Sequence, residues 1–419
     1  MKGRSAAPYS EIPRPMTDKL KTIVDANLCH GCGGCAAIAP EGSVRMRMAE
    51  TGYRRPEVTG PLPADYADKV DAICTGQRIE QDAAGRTYHP SWGPLVTVEV
   101  GHALDPEVRF RGSSGGMLSG VAVYLLETGA VDFVVHTRAD PEDAVGNVTG
   151  VSHSREDVIA SAGSRYAPSS PLAELESHLA TGKTFAFIGK PCDIATLRAM
   201  ARQDPRIDAQ IPYKLSFFCA GVPSRHGAQA LLRKMGVEPE AVRQFDYRGN
   251  GWPGLARARS EDGSEATMDY AESWGAVLSR HLQFRCKICP DGVGEFADIA
   301  AADAWYGKDG YPDFDERDGR SLVVARTVAG RKLLDAMLAA DRIALDPLDI
   351  DEIAKMQPYQ VDRKRAVVAR CFAMLLLGRK LPRYTGLELL RNIRESSPVY
   401  LARNMLGTLR RLPRTPRGS

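Results

Sequence analysis

A chain of 419 residues that is 43% hydrophobic and 26% charged has material for two or three domains with buried cores, which excludes both a disulfide-stapled miniprotein and wholesale disorder. Its 55 Lys and Arg against 52 Asp and Glu leave a net charge of +3. That is too near neutral for the whole chain to act on a polyanion, and no nucleic-acid motif is present.

The chain opens on MKGRSAAPYSEIPRPMTDKL, which has basic residues but no apolar signal core, so a cytoplasmic protein is expected. No apolar run reaches the roughly 18 residues that cross a bilayer. Residues 1–95 read as an irregular, Pro- and Gly-rich region holding the first four cysteines. Residues 96–182 and 183–345 then alternate helix and strand. Apolar residues at helical spacing predict a helix from Gly116 to Gly129, followed by a β-branched strand at Val131–Thr137. Ser154 caps a short helix to Ala160, and Pro171–Gly182 reads as an amphipathic helix.

Further strands are expected at Thr184–Gly189, Tyr213–Gly221 and Ser321–Thr327, with helices after Asp193, Arg225 and Val328. Leu255–Ser260 alternates like an exposed strand, and Phe245–Gly254 is a turn-rich loop. Strands separated by single helices predict an α/β fold with a mixed, largely parallel sheet. An N-terminal ferredoxin-like iron–sulfur segment would precede that core, and a helical, basic extension over 346–419 would follow it. The end, Leu401–Ser419, interleaves apolar residues with arginines; it reads as a solvated tail or as a face for an anionic membrane or an acidic partner.

In a reducing compartment the nine cysteines point to metal or redox sites in place of disulfides. Cys29, Cys32 and Cys35 have the spacing of a bacterial-type ferredoxin motif. That motif places its fourth cysteine just before a proline, yet here Ala39 precedes Pro40. Cys74 is the nearby candidate for the missing ligand. The alternative is a zinc site or a free-thiol loop. His30, between two of these cysteines, reads as a tuning group and not a ligand.

Cys192 and Cys219 follow two predicted parallel strands, whose carboxyl ends share one sheet edge. With Cys286 and Cys289 they form a possible second four-thiolate set, for a 4Fe-4S cluster or for zinc. Cys371, in an apolar helical stretch, reads as core. The segment Arg111–Gly120 opens a helix with glycines and serines, which suits a phosphate as well as an ordinary capped helix. No P-loop and no G-x-G-x-x-G follows a strand, so ATP hydrolysis and a Rossmann nicotinamide site are unsupported.

Taken in order, Cys29-HGCGGCAAIAP, Arg111-GSSGGMLSG, Ser161-AGSRYAPSS, Ile188-GKPCD, Phe217-FCAGVPS, Tyr247-RGNGWPG and Phe284-RCKICPDGVGEFADIAAADAW resemble the family of coenzyme F420 hydrogenase/dehydrogenase β subunits, which also contains chlorophyll-type macrocycle reductases. The resemblance implies an oxidoreductase with FAD and two 4Fe-4S clusters. It implies a flavin site at Ser113, Ser114, Gly115, Gly116, Gly163, Ser164, Arg165 and Tyr166; Lys190, beside Cys192, reads as a charge near the flavin or substrate, and Lys190 and Arg165 are the candidates for catalysis. It implies cluster ligands Cys192, Cys219, Cys286 and Cys289, and Cys29, Cys32, Cys35 and Cys74 for the first site. Trp252 is a possible stacking surface for the substrate.

The expected activity passes electrons from a ferredoxin-type donor through the clusters to flavin and on to a small organic substrate. Hydride exchange with coenzyme F420 itself, or a non-catalytic metal-binding module, are the alternatives.

Overall fold

The computed structural model describes residues 14–83, 85–308 and 311–412; the arginine-bearing end of the predicted tail, 413–419, lies outside them. Eight strands form the main sheet: β1 Thr97–Ala103, β2 Phe133–Asp140, β3 Asp143–Ser152, β4 Phe185–Gly189, β5 Tyr213–Phe217, β6 Ile299–Asp303, β7 Ser321–Ala325 and β8 Ile343–Pro347. Their spatial order is β8-β1-β7-β6-β5-β4-β2-β3. The four central strands β2, β4, β5 and β6 pair in parallel. The flanking strands pair antiparallel on both sides.

The sheet is therefore mixed, and its parallel character is confined to the centre. Strands β2, β4 and β5 of that centre were expected from the sequence, and so was the flanking strand β7. Strands β1, β3, β6 and β8 escape notice; β3 is reached by a hairpin and β6 by a long connection, whereas β8 follows β7 through a single helix.

Helices cover the faces: α1 Tyr66–Ile73, α2 Met117–Glu127, α3 Pro191–Ala201, α4 Arg225–Lys234, α5 Val328–Ala339, α6 Pro358–Leu376 and α7 Pro398–Arg411. Fully buried β7, SLVVA, shows why a continuous apolar run forms a central strand. One apolar core joins α2 and α5 to one face of the sheet, through Val121, Leu125, Leu215, Val323 and Leu334. A second joins α3 and the 175–179 helix to the other face.

The amphipathic helix expected over 171–182 shrinks to Leu175–Leu179. Its first residues are diverted, because the Leu172 amide donates to the Cys32 carbonyl at 3.0 Å. Among the described residues no helix is long and apolar enough to cross a membrane.

Candidate functional site

The carboxyl ends of β2, β4, β5 and β6 open onto a cavity of about 270 Å³, the edge at which open α/β sheets hold ligands. Its lining includes Ser113, Gly116 and Met117 as well as Lys190, Phe218 and Cys219. Gly116 caps α2 in the left-handed conformation, φ 70°. The first amides of α2 thus face the cavity without a side-chain cap, at the positive end of the helix dipole.

Of the residues expected to hold a cofactor, Ser113, Ser114, Gly116, Gly163, Ser164, Arg165, Tyr166 and Lys190 line this cavity. Gly115 lies behind it, packed against the Gly101 carbonyl and Ser321. The Ser164 hydroxyl donates to Ser113 Oγ at 2.6 Å. Ser114 Oγ donates instead to the backbone, facing the Ala302 and Arg320 carbonyls at 3.2 and 3.0 Å.

Arg165 touches the cavity, but its guanidinium is engaged by the carbonyls of Phe245, Gly146 and Ala144 and by Asn147 Oδ1. It straps loops together. Lys190 is free of such constraint on the cavity side: its Nζ meets Ser169 Oγ at 2.8 Å and Asp193 Oδ2 at 2.7 Å. Burial opposes its charge, but Asp193 and the Cys192 and Cys219 sulfurs outweigh it and raise the pKa above the ordinary lysine value.

Trp252 does not face the cavity. It is buried, stacked on Trp305 at 4.8 Å, with its indole N–H donated to Asp303 at 2.8 Å. The aromatic wall comes from Tyr166, Trp274 and Tyr270. Arg248 backs Tyr270, its guanidinium 4.7 Å from that ring and held by both Asp303 oxygens at 2.9 and 2.6 Å. Gln357 adds a buried amide whose Nε2 donates to the Asp303 carbonyl at 2.7 Å and whose Oε1 has no partner. No sequence signal marks Tyr270, Trp274 or Gln357; Arg248 sits in the glycine-rich loop already singled out.

Cys29, Cys32, Cys35 and Cys74 together line a second, small cavity. Gly33 makes this loop possible: at φ 90° a Cβ would stand 2.7 Å from the Ala173 amide nitrogen. Cys74 enters from the C-terminus of α1, and Ala39 packs in the apolar shell around the site. Burial and the charge of Cys29 push the Cys74 thiol up to about 11.

Cys192, Cys219, Cys286 and Cys289 are likewise within electrostatic reach of one another. Burial, then Cys286, pushes Cys219 up to about 12. Four partly buried thiols that resist ionising together need a cationic core before they become thiolates, and iron or zinc supplies one. The Val222 amide donates to Cys286 Sγ at 3.4 Å. Cys371 packs in the shell of the first set without lining its cavity.

The two cysteine sets adjoin. His30, from the first, donates to or accepts from Thr75 Oγ1 at 2.9 Å through Nε2. One of its ring nitrogens, Cys192 Sγ and an Asp193 oxygen lie within 4.8 Å of one another. Cys219 in turn lines the large cavity, so first set, second set and cavity form a continuous series.

Residues 98–176 match the sequence profile described as coenzyme F420 hydrogenase/dehydrogenase, beta subunit N-term, and residues 182–351 match the C-terminal profile of the same family. The chain is 22% identical over 369 residues to the coenzyme F420-dependent sulfite reductase of Methanocaldococcus jannaschii, covering 84% of this chain and 52% of that protein. It therefore spans about half the length of that relative. It is 26% identical to coenzyme F420 hydrogenase subunit beta of Methanococcus voltae (62% of this chain, 87% of the relative). It is 23% identical to one of the subunits of the F(420)H(2) dehydrogenase of Methanosarcina mazei (79% and 88%). A chain of the F420-reducing NiFe hydrogenase complex of Methanosarcina barkeri has the same fold, with a TM-score of 0.53 at 21% identity over 68% of this chain and 95% of that one.

Proposed function

The chain belongs to the family of coenzyme F420 hydrogenase/dehydrogenase β subunits, and from that premise we propose that it is an oxidoreductase module exchanging reducing equivalents with a deazaflavin of the F420 type. On this reading FAD occupies the sheet-edge cavity, a 4Fe-4S cluster sits at each cysteine set, and a protein partner completes the electron path. The observation that carries it is the continuity just described: one cavity is lined both by the first turn of α2 and by Cys219.

The donor sets fit these groups. Two sets of four partly buried thiols match cubane ligation, and the unpartnered Gln357 Oε1 offers an acceptor to a ring N–H. A flavin, when bound, interconverts hydride and single-electron chemistry, and the clusters carry single electrons.

The chain's own residues perform the rest. The α2 amides and the Ser113–Ser164 pair receive phosphate oxygens. Tyr166 and Trp274 bound a flat ring. Lys190 places a positive charge beside Cys219, where it stabilises negative charge gained on reduction. Met117, Leu118 and Ile188 exclude water.

A one-electron donor of ferredoxin type, feeding a small organic substrate, is the second reading. The first cysteine set favours it, because residues 29–74 lie outside the matched profiles. Named F420-dependent relatives favour the deazaflavin.

Anaerobic purification, metal and flavin analysis, and addition of oxidised F420 to the dithionite-reduced chain test the proposal. Bound FAD, iron matching two four-iron clusters and bleaching of F420 are expected. Flavin and iron without bleaching would shift the assignment to the ferredoxin-fed reading. Zinc in a colourless protein would end both.

A further inference from the structure

Arg285 lies between the two cysteine sets. It precedes Cys286 in the short Phe284–Lys287 helix and is 3% exposed. Among the described residues it forms no ion pair. Its Nη2 donates to the Thr75 carbonyl at 2.9 Å, its guanidinium lies 5.6 Å from the Tyr384 ring centre, and its Nε has no partner. One carbonyl and the face of a tyrosine ring satisfy a buried guanidinium only in part, so its burial calls for further negative charge nearby.

The nearby groups that can supply it are thiols, and they come from both sets. The Thr75 partner of Arg285 directly follows Cys74 of the first set, and Arg285 itself directly precedes Cys286 of the second. Lys190 acts on Cys192 and Cys219. Arg55 acts on Cys29. Arg363, whose Nη1 donates to the Cys219 carbonyl at 2.8 Å, acts on Cys219, Cys286 and Cys289.

We propose that Arg285 is a tuning cation shared by the two clusters, stabilising the electron on either one and holding both midpoint potentials up together. The inference rests on the cluster reading above and adds a residue that ligates nothing. A fixed buried charge acts strongly in a low-dielectric interior, and a cation favours the more negative, reduced state of each centre. Sharing it shifts both potentials in the same direction.

The test uses the whole iron-loaded chain in an EPR-monitored redox titration, each cluster taking one electron from dithionite. Two wild-type cluster signals must be present first; their absence would defeat the cluster reading and not this one. Arg285→Gln is expected to move both midpoints to more negative potential, and Arg285→Lys to restore most of both shifts. Arg55→Gln is expected to move the first signal alone, and Arg363→Gln the second alone.

A shift of one signal only, or of neither, in Arg285→Gln with its iron retained would overturn the proposal. Should that variant assemble poorly, Arg285→Met is titrated in its place. Loss of iron from both sites in the neutral variants, reversed by Arg285→Lys, would support the same role. Loss from one site alone, or loss that Lys does not reverse, would refute it.

Discussion

On the cluster reading proposed above, Cys74 is the residue on which the first site turns, because Ala39 stands where a plain ferredoxin motif carries its fourth thiolate. The chain supplies the replacement from the end of α1, and all four sulfur-bearing residues line one cavity. Cys74→Ser is therefore expected to remove the first cluster's EPR signal and about half of the bound iron while sparing the second. Unchanged iron would show that another group completes the site.

Residue types at fixed spacing made these cysteines legible, since four thiols serve few purposes in a reduced protein. Single polar residues were less so. Arg165 looks like a phosphate or flavin partner until its carbonyl acceptors are seen, and Trp252 looks like a stacking surface until Trp305 is found against it. Partners far away in sequence decide such roles, and a local pattern does not contain them.

At the level of elements, α2 shows how backbone conformation prepares a binding surface. The turn Gly112–Gly116 closes tightly enough that a Cβ on Gly116 would stand 2.6 Å from the Val108 carbonyl oxygen. Gly116→Ala must also hold φ near 70°. The expected cost is about 1–2 kcal/mol from the left-handed backbone alone, seen as a lower denaturant midpoint, with a drop in flavin occupancy because the α2 amides are displaced. An unaltered flavin content would detach this helix end from cofactor binding.

The helix itself was legible from 3.6-residue periodicity, as were β2, β4, β5 and β7 from their apolar runs. The flanking strands β1, β3 and β8 and the central strand β6 were not. A strand such as β6, IAAAD, is all alanine at its centre and has no branched side chains to announce it.

At the scale of the whole molecule, the segments outside the matched profiles are tied into the core instead of hanging from it. From the C-terminal side, α6 sends Gln360 and Arg363 to the Cys219 carbonyl at 3.2 and 2.8 Å. It also sends Lys364 to Glu295 at 2.6 Å, and from the N-terminal side Tyr88 donates to the same carboxylate at 2.7 Å. Glu295 is 0% exposed and Lys364 4%, so water cannot replace either partner. The extension thus reaches the second cysteine set, although composition alone marks it only as a helical, basic appendage.

Lys364→Met keeps the length of the stem but strands a buried carboxylate, and a destabilisation of about 3–5 kcal/mol is expected. Adding Glu295→Gln removes the stranded charge. The double variant should then recover a large part of that loss in denaturant midpoint, because a neutral amide still accepts from Tyr88. Equal midpoints for the single variant and wild type would mean that the pair contributes nothing to joining the outer segments to the core. A double variant no better than the single would place the damage in lost packing of α6 and not in the unpaired charge.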